Sequence, residues 1–405
     1  MTNDQEKPSF LSLPPEIRDQ IYTIILHPNN NRTFHPNEHT DYDFRAALVL
    51  YRLNRAIYFE ARDIFRTLNV FVRIETPWSE AEEHVKITAH VPIVMNRSRA
   101  TKFDGHHLNV VIKAPQGDAL PDGISHFVIL ADDLEAFTKS WMYSNLSHPG
   151  LNQWLTLQIH LRDPTAASWD EPHVRREIQR RLFLPWGHVK GLTHFTVTGD
   201  PRPQPKIEAE MRALQNIPHP SPEHCLAECA RLKAEGNALL QNGNPKAALA
   251  AYNRAWEAIH IIVRGRERHV HAEAFYAKDL TEAPYEGKSG QMERMTLRLR
   301  LVANTCQAYL ILQDWNELKF WGMRTIHLIT DGRPVTNDGP DRPEEMLLGL
   351  PFTSQIGKIY YRTAKACKAL GELATARRLL RIAAVYRPND KAIEEELRAS
   401  ALRNG

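Results

Sequence analysis

Two stretches near the C-terminal end carry the same small-residue pattern at the same offsets, and no other feature constrains the fold as tightly. Gly236, Gly243, Ala248, Tyr252 and Ala255 form one copy; Ala364, Gly371, Ala376, Leu380 and Ala383 form the other, with Pro388 following. Small residues on either side of a glycine turn let two helices cross closely, here where Gly236 or Ala364 faces Ala248 or Ala376. Pro388 then ends the unit. A poorer copy lies between them, from about Leu299 to Thr330, with Cys306 at the small position and Asp314-Trp315 at the turn. It departs by placing Leu318 where the others have alanine. A repeated helical hairpin cannot bury its apolar face alone, so the copies are expected to stack. They are not contiguous. Arg264 to Met295, rich in His, Arg and Glu, separates the first two, and Asp331 to Pro351 separates the last two. Lys391 to Arg403 reads as a polar-faced capping helix.

This pattern resembles the tetratricopeptide repeat, a helix–turn–helix of about 34 residues. In such arrays the first helix of each repeat lines a concave surface, which here implies Lys233 and Asn237, then Asn304, then Lys358 and Arg362. Spacing of four puts Lys233 with Asn237, and Lys358 with Arg362, on one helix face. Three cations and two amides suit an anionic peptide end, because carboxylates accept charge-assisted bonds from Lys and Arg. Leu232-Lys-Ala-Glu-Gly-Asn237, Asn304 and Lys358-x-x-x-Arg362 match the dicarboxylate clamp of chaperone-binding tetratricopeptide domains. The resemblance implies that these five residues hold the C-terminal Glu-Glu-Val-Asp tail of heat-shock chaperones of the ninety- and seventy-kilodalton classes. The function it implies is a non-enzymatic protein-interaction adaptor, a co-chaperone in the cytoplasm or also the nucleus.

The rest of the chain reads as α+β. Residues 1–75 hold two helices and a strand. Leu13-Pro14-Pro15-Glu16 starts a helix, since proline is tolerated in a first turn and Glu16 suits the positive helix end. Ile17, Ile21, Ile24 and Ile25 give it one apolar face. Val49, Leu53, Ile57, Ala61 and Phe65 predict a second helix, and Val70–Ile74 a strand. Phe10–Arg18 with Ile21-Tyr22, and later Leu53-Asn54-Arg55-x-Ile57-Tyr58-x-Glu60-Ala61, resemble the F-box-like domain of fungal proteins. That resemblance extends through the next part to Pro185-Trp186-Gly187. It implies docking of the linker subunit of a cullin ubiquitin ligase through Leu13, Pro14, Ile17 and Ile21, the alternative being that Ile17, Ile21 and Ile25 simply pack on the second helix. The alternative function is then a ligase substrate receptor, with the repeats as its substrate-binding module. Residues 76–200 alternate as strands over Leu155–Arg162, Leu108–Ile112 and Phe195/Val197, and Ile124–Leu130 leads into an amphipathic stretch with Leu134, Phe137 and Trp141. Residues 201–222 hold six prolines and read as a linker with at most one short helix. Residues 223–405 are the repeat domain, read as wholly helical.

Composition excludes other classes. With 405 residues, 42% hydrophobic and 24% charged, the chain can bury full cores. A net charge of +3 is too balanced for whole-chain binding to nucleic acid. No run approaches the roughly 20 apolar residues of a membrane span, and the polar start lacks the charged and apolar regions of a secretory signal. Four cysteines make no disulfide framework, so the reading is a reduced, intracellular protein. Catalytic signals fail one by one. Gly287-Lys288-Ser289 has Glu282 where a phosphate loop needs glycine. His224, Cys225 and Cys229 lack a second ligand pair, and His269 and His271 lack an acidic partner pattern. His106 and His107 read as exposed loop. Neighbours such as Asp132-Asp133 and Glu82-Glu83 point apart. No cofactor or metal set is read, and no catalytic residue.

Overall fold

The computed structural model describes residues 9–34, 40–114, 123–167, 169–331 and 347–401. The N-terminal start, most of the second insertion and Arg403 lie outside them. The chain divides into two units: Met1–His219 with Arg264–Ala272, and Pro220–Val263 with Glu273–Gly405.

The first unit is α+β. Helix α1 (Pro15–Leu26) begins with proline at its first turn, as the sequence requires. A ribbon of β1 (Arg32–Phe34) and β2 (Thr40–Tyr42) follows, then α2 (Arg55–Leu68). Asn54 Oδ1 caps α2 by accepting from the Ile57 amide at 2.9 Å. The second helix therefore starts later than its apolar spacing predicts. Val49 lies in a separate 3-10 turn, and both it and Leu53 are exposed. Helix α1 also turns a different face inward. Tyr22 and Leu26 are fully buried with Ile57 and Ala61, whereas Leu13, Ile17, Ile24 and Ile25 are exposed. Glu60 selects that orientation: it accepts from Arg18 Nη2 at 2.6 Å and from the Tyr22 hydroxyl at 2.9 Å. Ile17 and Ile25 consequently do not pack on α2.

A six-stranded mixed sheet follows. Its strands are β3 (Phe71–Thr76), β4 (Met95–Asn96), β5 (His106–Lys113), β6 (Ser125–Leu130), β7 (Thr156–Arg162) and β8 (His194–Asp200), in the order β4-β6-β3-β5-β7-β8. The β3/β5 and β7/β8 pairs are parallel, the others antiparallel. The period of two in β7 is realised: Leu157, Ile159 and Leu161 are buried opposite Ile112, Val110 and Leu108. Helices α3 (Leu134–Ser147), α4 (Arg176–Phe183) and α5 (Pro205–Asn216) contribute to the same core, through Phe137, Trp141, Leu182, Ile207 and Met211. The 201–222 stretch thus packs rather than hangs free, because Ile207 and Met211 are one helical turn apart. His106 and His107 are strand residues, not exposed loop. Both are buried; His106 Nδ1 donates to the Phe103 carbonyl at 2.9 Å while its Nε2 faces Arg162 Nη1 at 2.9 Å.

The second unit is three helical hairpins: α6 (Pro222–Gln241) with α7 (Pro245–Ala258), α8 (Gly290–Leu312) with α9 (Trp315–Asp331), and α10 (Thr353–Ala369) with α11 (Leu373–Tyr386). Helix α12 (Lys391–Ala401) packs on α11. The first insertion is not helical throughout, since Glu267–Val270 is extended. Gly243, Gln313 and Gly371 occupy one offset in the three hairpins, and all have positive φ. Glycine adopts that conformation freely, so the middle hairpin is the one with a strained turn. Its Leu318 is fully buried despite replacing alanine. Gly322, one turn later, stands where Tyr252 and Leu380 stand in the other copies, and Thr363 packs into the vacated space. Volume moves along the helix rather than being lost.

Candidate peptide-binding site

The five residues singled out for a carboxylate clamp all lie in the second unit. Ser221 caps α6, and the helix carries Lys233 and Asn237 one turn apart. Between them Gly236 lets Tyr252 of α7 approach so closely that a Cβ there would lie 2.4 Å from its ring. That approach delivers the Tyr252 hydroxyl to Asn237 Oδ1 at 2.9 Å. Asn304 of α8 donates its Nδ2 to the same oxygen at 2.7 Å. With its oxygen doubly engaged, the Asn237 amide NH2 has no protein acceptor among the described residues. Arg362 of α10 donates from Nη1 to the Ala303 carbonyl of α8 at 2.5 Å. Tyr252, Asn237, Asn304 and Arg362 thereby tie all three hairpins at one place.

The electrostatics are one-sided. Burial lowers the Lys233 ammonium below its ordinary value, and the neighbouring Arg300 guanidinium adds to the effect. Lys358 is lowered by burial first, then by Arg362, Arg387 and Arg300. Burial also lowers Arg362, with Arg387 acting the same way. Arg300 thus acts on both Lys233 and Lys358, and Arg387 on both Lys358 and Arg362, which links the first helices of the three hairpins and the end of α11 as a chain of neighbouring cations. Arg387 has an ion pair, to Asp390 at 2.7 Å. Among the described residues Lys233, Arg300 and Lys358 have none. With Asp390 engaged by Arg387 and the other three unpaired, the set keeps an excess of positive charge that an incoming anion can neutralise. Half-buried ammonium groups bind it more strongly than exposed ones, since the local dielectric is lower.

Arg300 and Arg387 escaped the sequence reading. Arg300 had a signal: it lies six residues before Cys306, as Lys358 lies six before Ala364. Arg387 had a subtler one in Gly357, where a Cβ would meet the Arg387 Cγ at 2.5 Å. The N-terminal set does not converge on a site of this kind. Leu13, Pro14 and Ile17 are exposed and Ile21 is half-buried. Cys225 and Cys229 are buried in α6 while His224 is exposed. Asp132 and Asp133 do point apart, to Arg181 and to Tyr42. His269 does have an acidic partner, Glu267, at 3.2 Å.

No protein-family model matches the chain, so the F-box-like resemblance of residues 1–75 finds no support there, and no curated protein matches. Among solved structures the chain is similar to the C-terminal TPR-containing domain of a Plasmodium falciparum protein described as FK506-binding. The identity is 14% and the TM-score 0.30, over 45% of this chain and 93% of that domain. A score of that size establishes no shared fold. Among the described residues no helix is long and apolar enough to cross a membrane.

Proposed function

We propose that the helical unit is a non-enzymatic binding module that takes an acidic peptide by its free C-terminus, and that the chain is an adaptor built around it. The observation that carries this reading is the set Lys233, Asn237, Asn304, Lys358 and Arg362, drawn from three hairpins, beside Arg300 and Arg387; of these cations Lys233, Arg300 and Lys358 have no ion pair among the described residues, while Arg387 pairs with Asp390. Lys233 and Lys358 suit the two carboxylates of a terminal aspartate. The Asn237 amide suits the terminal carboxylate or the last peptide group, and Arg362 is pinned by Ala303 in the middle of the set. The resemblance to the dicarboxylate clamp makes the Glu-Glu-Val-Asp tail of heat-shock chaperones the natural ligand.

Charge-assisted bonds contribute roughly 1.5–3 kcal/mol each. After the ordering of a flexible tail, several of them leave a Kd on the order of micromolar. Lys358 is only partly buried, so Lys358→Glu should leave the fold intact and weaken binding at least about tenfold. Fluorescence anisotropy of an N-terminally labelled Glu-Glu-Val-Asp peptide with the full chain tests this, with Lys233→Glu alongside. Wild-type affinity in both variants would remove the site from where it is placed here.

A further inference from the structure

Residues Arg264–Ala272 leave the helical hairpins and belong to the first unit, where they bring Glu267 and His269 up to His90. We propose that His90, Glu267 and His269 form a zinc site. One ligand atom from each lies within 4.8 Å of the other two. His269 Nε2 is 3.2 Å from Glu267 Oε2, and His90 Nε2 is 3.9 Å from the same oxygen. Ligands about 2.0–2.1 Å from a tetrahedral zinc stand about 3.3 Å from one another, so the His269–Glu267 edge already fits and the His90–Glu267 edge must shorten by about 0.6 Å.

A second observation is the state of His90. Its Nε2 is buried and has no hydrogen-bond partner. A buried polar atom left in that condition costs on the order of 1–3 kcal/mol. The plainer account, an ion pair between His269 and Glu267, explains the 3.2 Å contact and leaves His90 orphaned. A metal ion satisfies all three groups together. Two imidazoles and a carboxylate suit zinc, whereas magnesium and calcium take oxygen ligands. Three protein ligands leave the fourth position to water. Bound there, the ion would fasten the inserted segment to the His90 loop.

The test uses the full chain, stripped with EDTA and titrated calorimetrically with Zn²⁺. Cobalt replaces zinc in a parallel titration followed by visible absorption. One ion per chain is expected, with the cobalt bands of a four-coordinate site. His269→Ala and Glu267→Gln should each weaken that site at least about tenfold. His269 is only partly buried, so its truncation leaves the fold intact, and circular dichroism verifies this. Zinc should also slow tryptic cleavage after Arg264, Arg266 and Arg268 in the wild type and not in the variants, which control for any effect on trypsin. Absence of stoichiometric zinc binding by the wild type overturns the site. So does equal affinity in both variants.

Discussion

Asp133 sits where the first unit hydrates a carboxylate poorly. It is buried, it accepts from the Tyr42 hydroxyl at 2.8 Å, and Arg32 Nη2 is 3.4 Å from its other oxygen. Burial outweighs both partners and pushes its pKa up to about 6. An unfolded aspartate titrates near 3.9, so the folded chain holds this proton more tightly. The stability this contributes is full below about pH 4 and is lost as the pH rises through about 6. Asp133→Asn keeps an acceptor for Tyr42 and cannot titrate. Relative to that variant, the wild type should lose on the order of 2–3 kcal/mol of stability between pH 4 and pH 7. Urea denaturation at several pH values reads the difference, and a flat difference would contradict a buried ionising carboxyl. Residue-level chemistry of this kind was not legible in the sequence. An Asp-Asp pair announces only that its side chains point apart, not that Tyr42 comes back to one of them. The candidate peptide-binding residues could be picked out because repeats multiply the signal: Asn304 and Arg362 share one position in the frame of the hairpins.

At the scale of elements, what was legible followed from periodicity, and what was not followed from competing polar contacts. The strands β5, β6 and β7 were visible as alternation or apolar runs because their inward side chains meet across one sheet. Helix α1 was visible as a helix, but its four isoleucines misled about its buried face. Arg18, Tyr22 and Glu60 form a hydrogen-bonded set that turns Tyr22 and Leu26 inward. Val49 and Leu53 matched the period of α2 and fell outside it, since Asn54 caps the helix after them. The orientation of α1 makes an unequal prediction about its two faces. Ile17 is 41% exposed, so Ile17→Ala should change stability by no more than about 0.5 kcal/mol. Tyr22 is fully buried, and Tyr22→Ala should cost about 3 kcal/mol or more. Comparable shifts in the urea midpoints of the two variants would mean that α1 presents the isoleucine face inward after all.

At the scale of the whole chain, the net charge of +3 conceals how the charge is distributed. Lys358 and Arg362 are neighbours on one helix, whereas Lys233, Arg300 and Arg387 are far from them in sequence and are brought near by the packing of the hairpins. Composition could not report this. The repeat frame could, and it left out Arg300 and Arg387 because the resemblance names five positions and stops there. The insertions were legible as departures from the repeat, though not in their use: Arg264–Ala272 joins the first unit and contributes two of three candidate zinc ligands.

The central claim is that the helical unit recognises a carboxylate at a chain end. Calorimetric titration of the full protein with two Glu-Glu-Val-Asp peptides, one with a free C-terminus and one amidated, tests it most directly. A Kd on the order of micromolar is expected for the free acid, weakening with added salt as opposite charges are screened. Amidation should cost at least about tenfold in affinity, the equivalent of one charge-assisted bond. Equal affinity for the two peptides, or binding to neither, would contradict it.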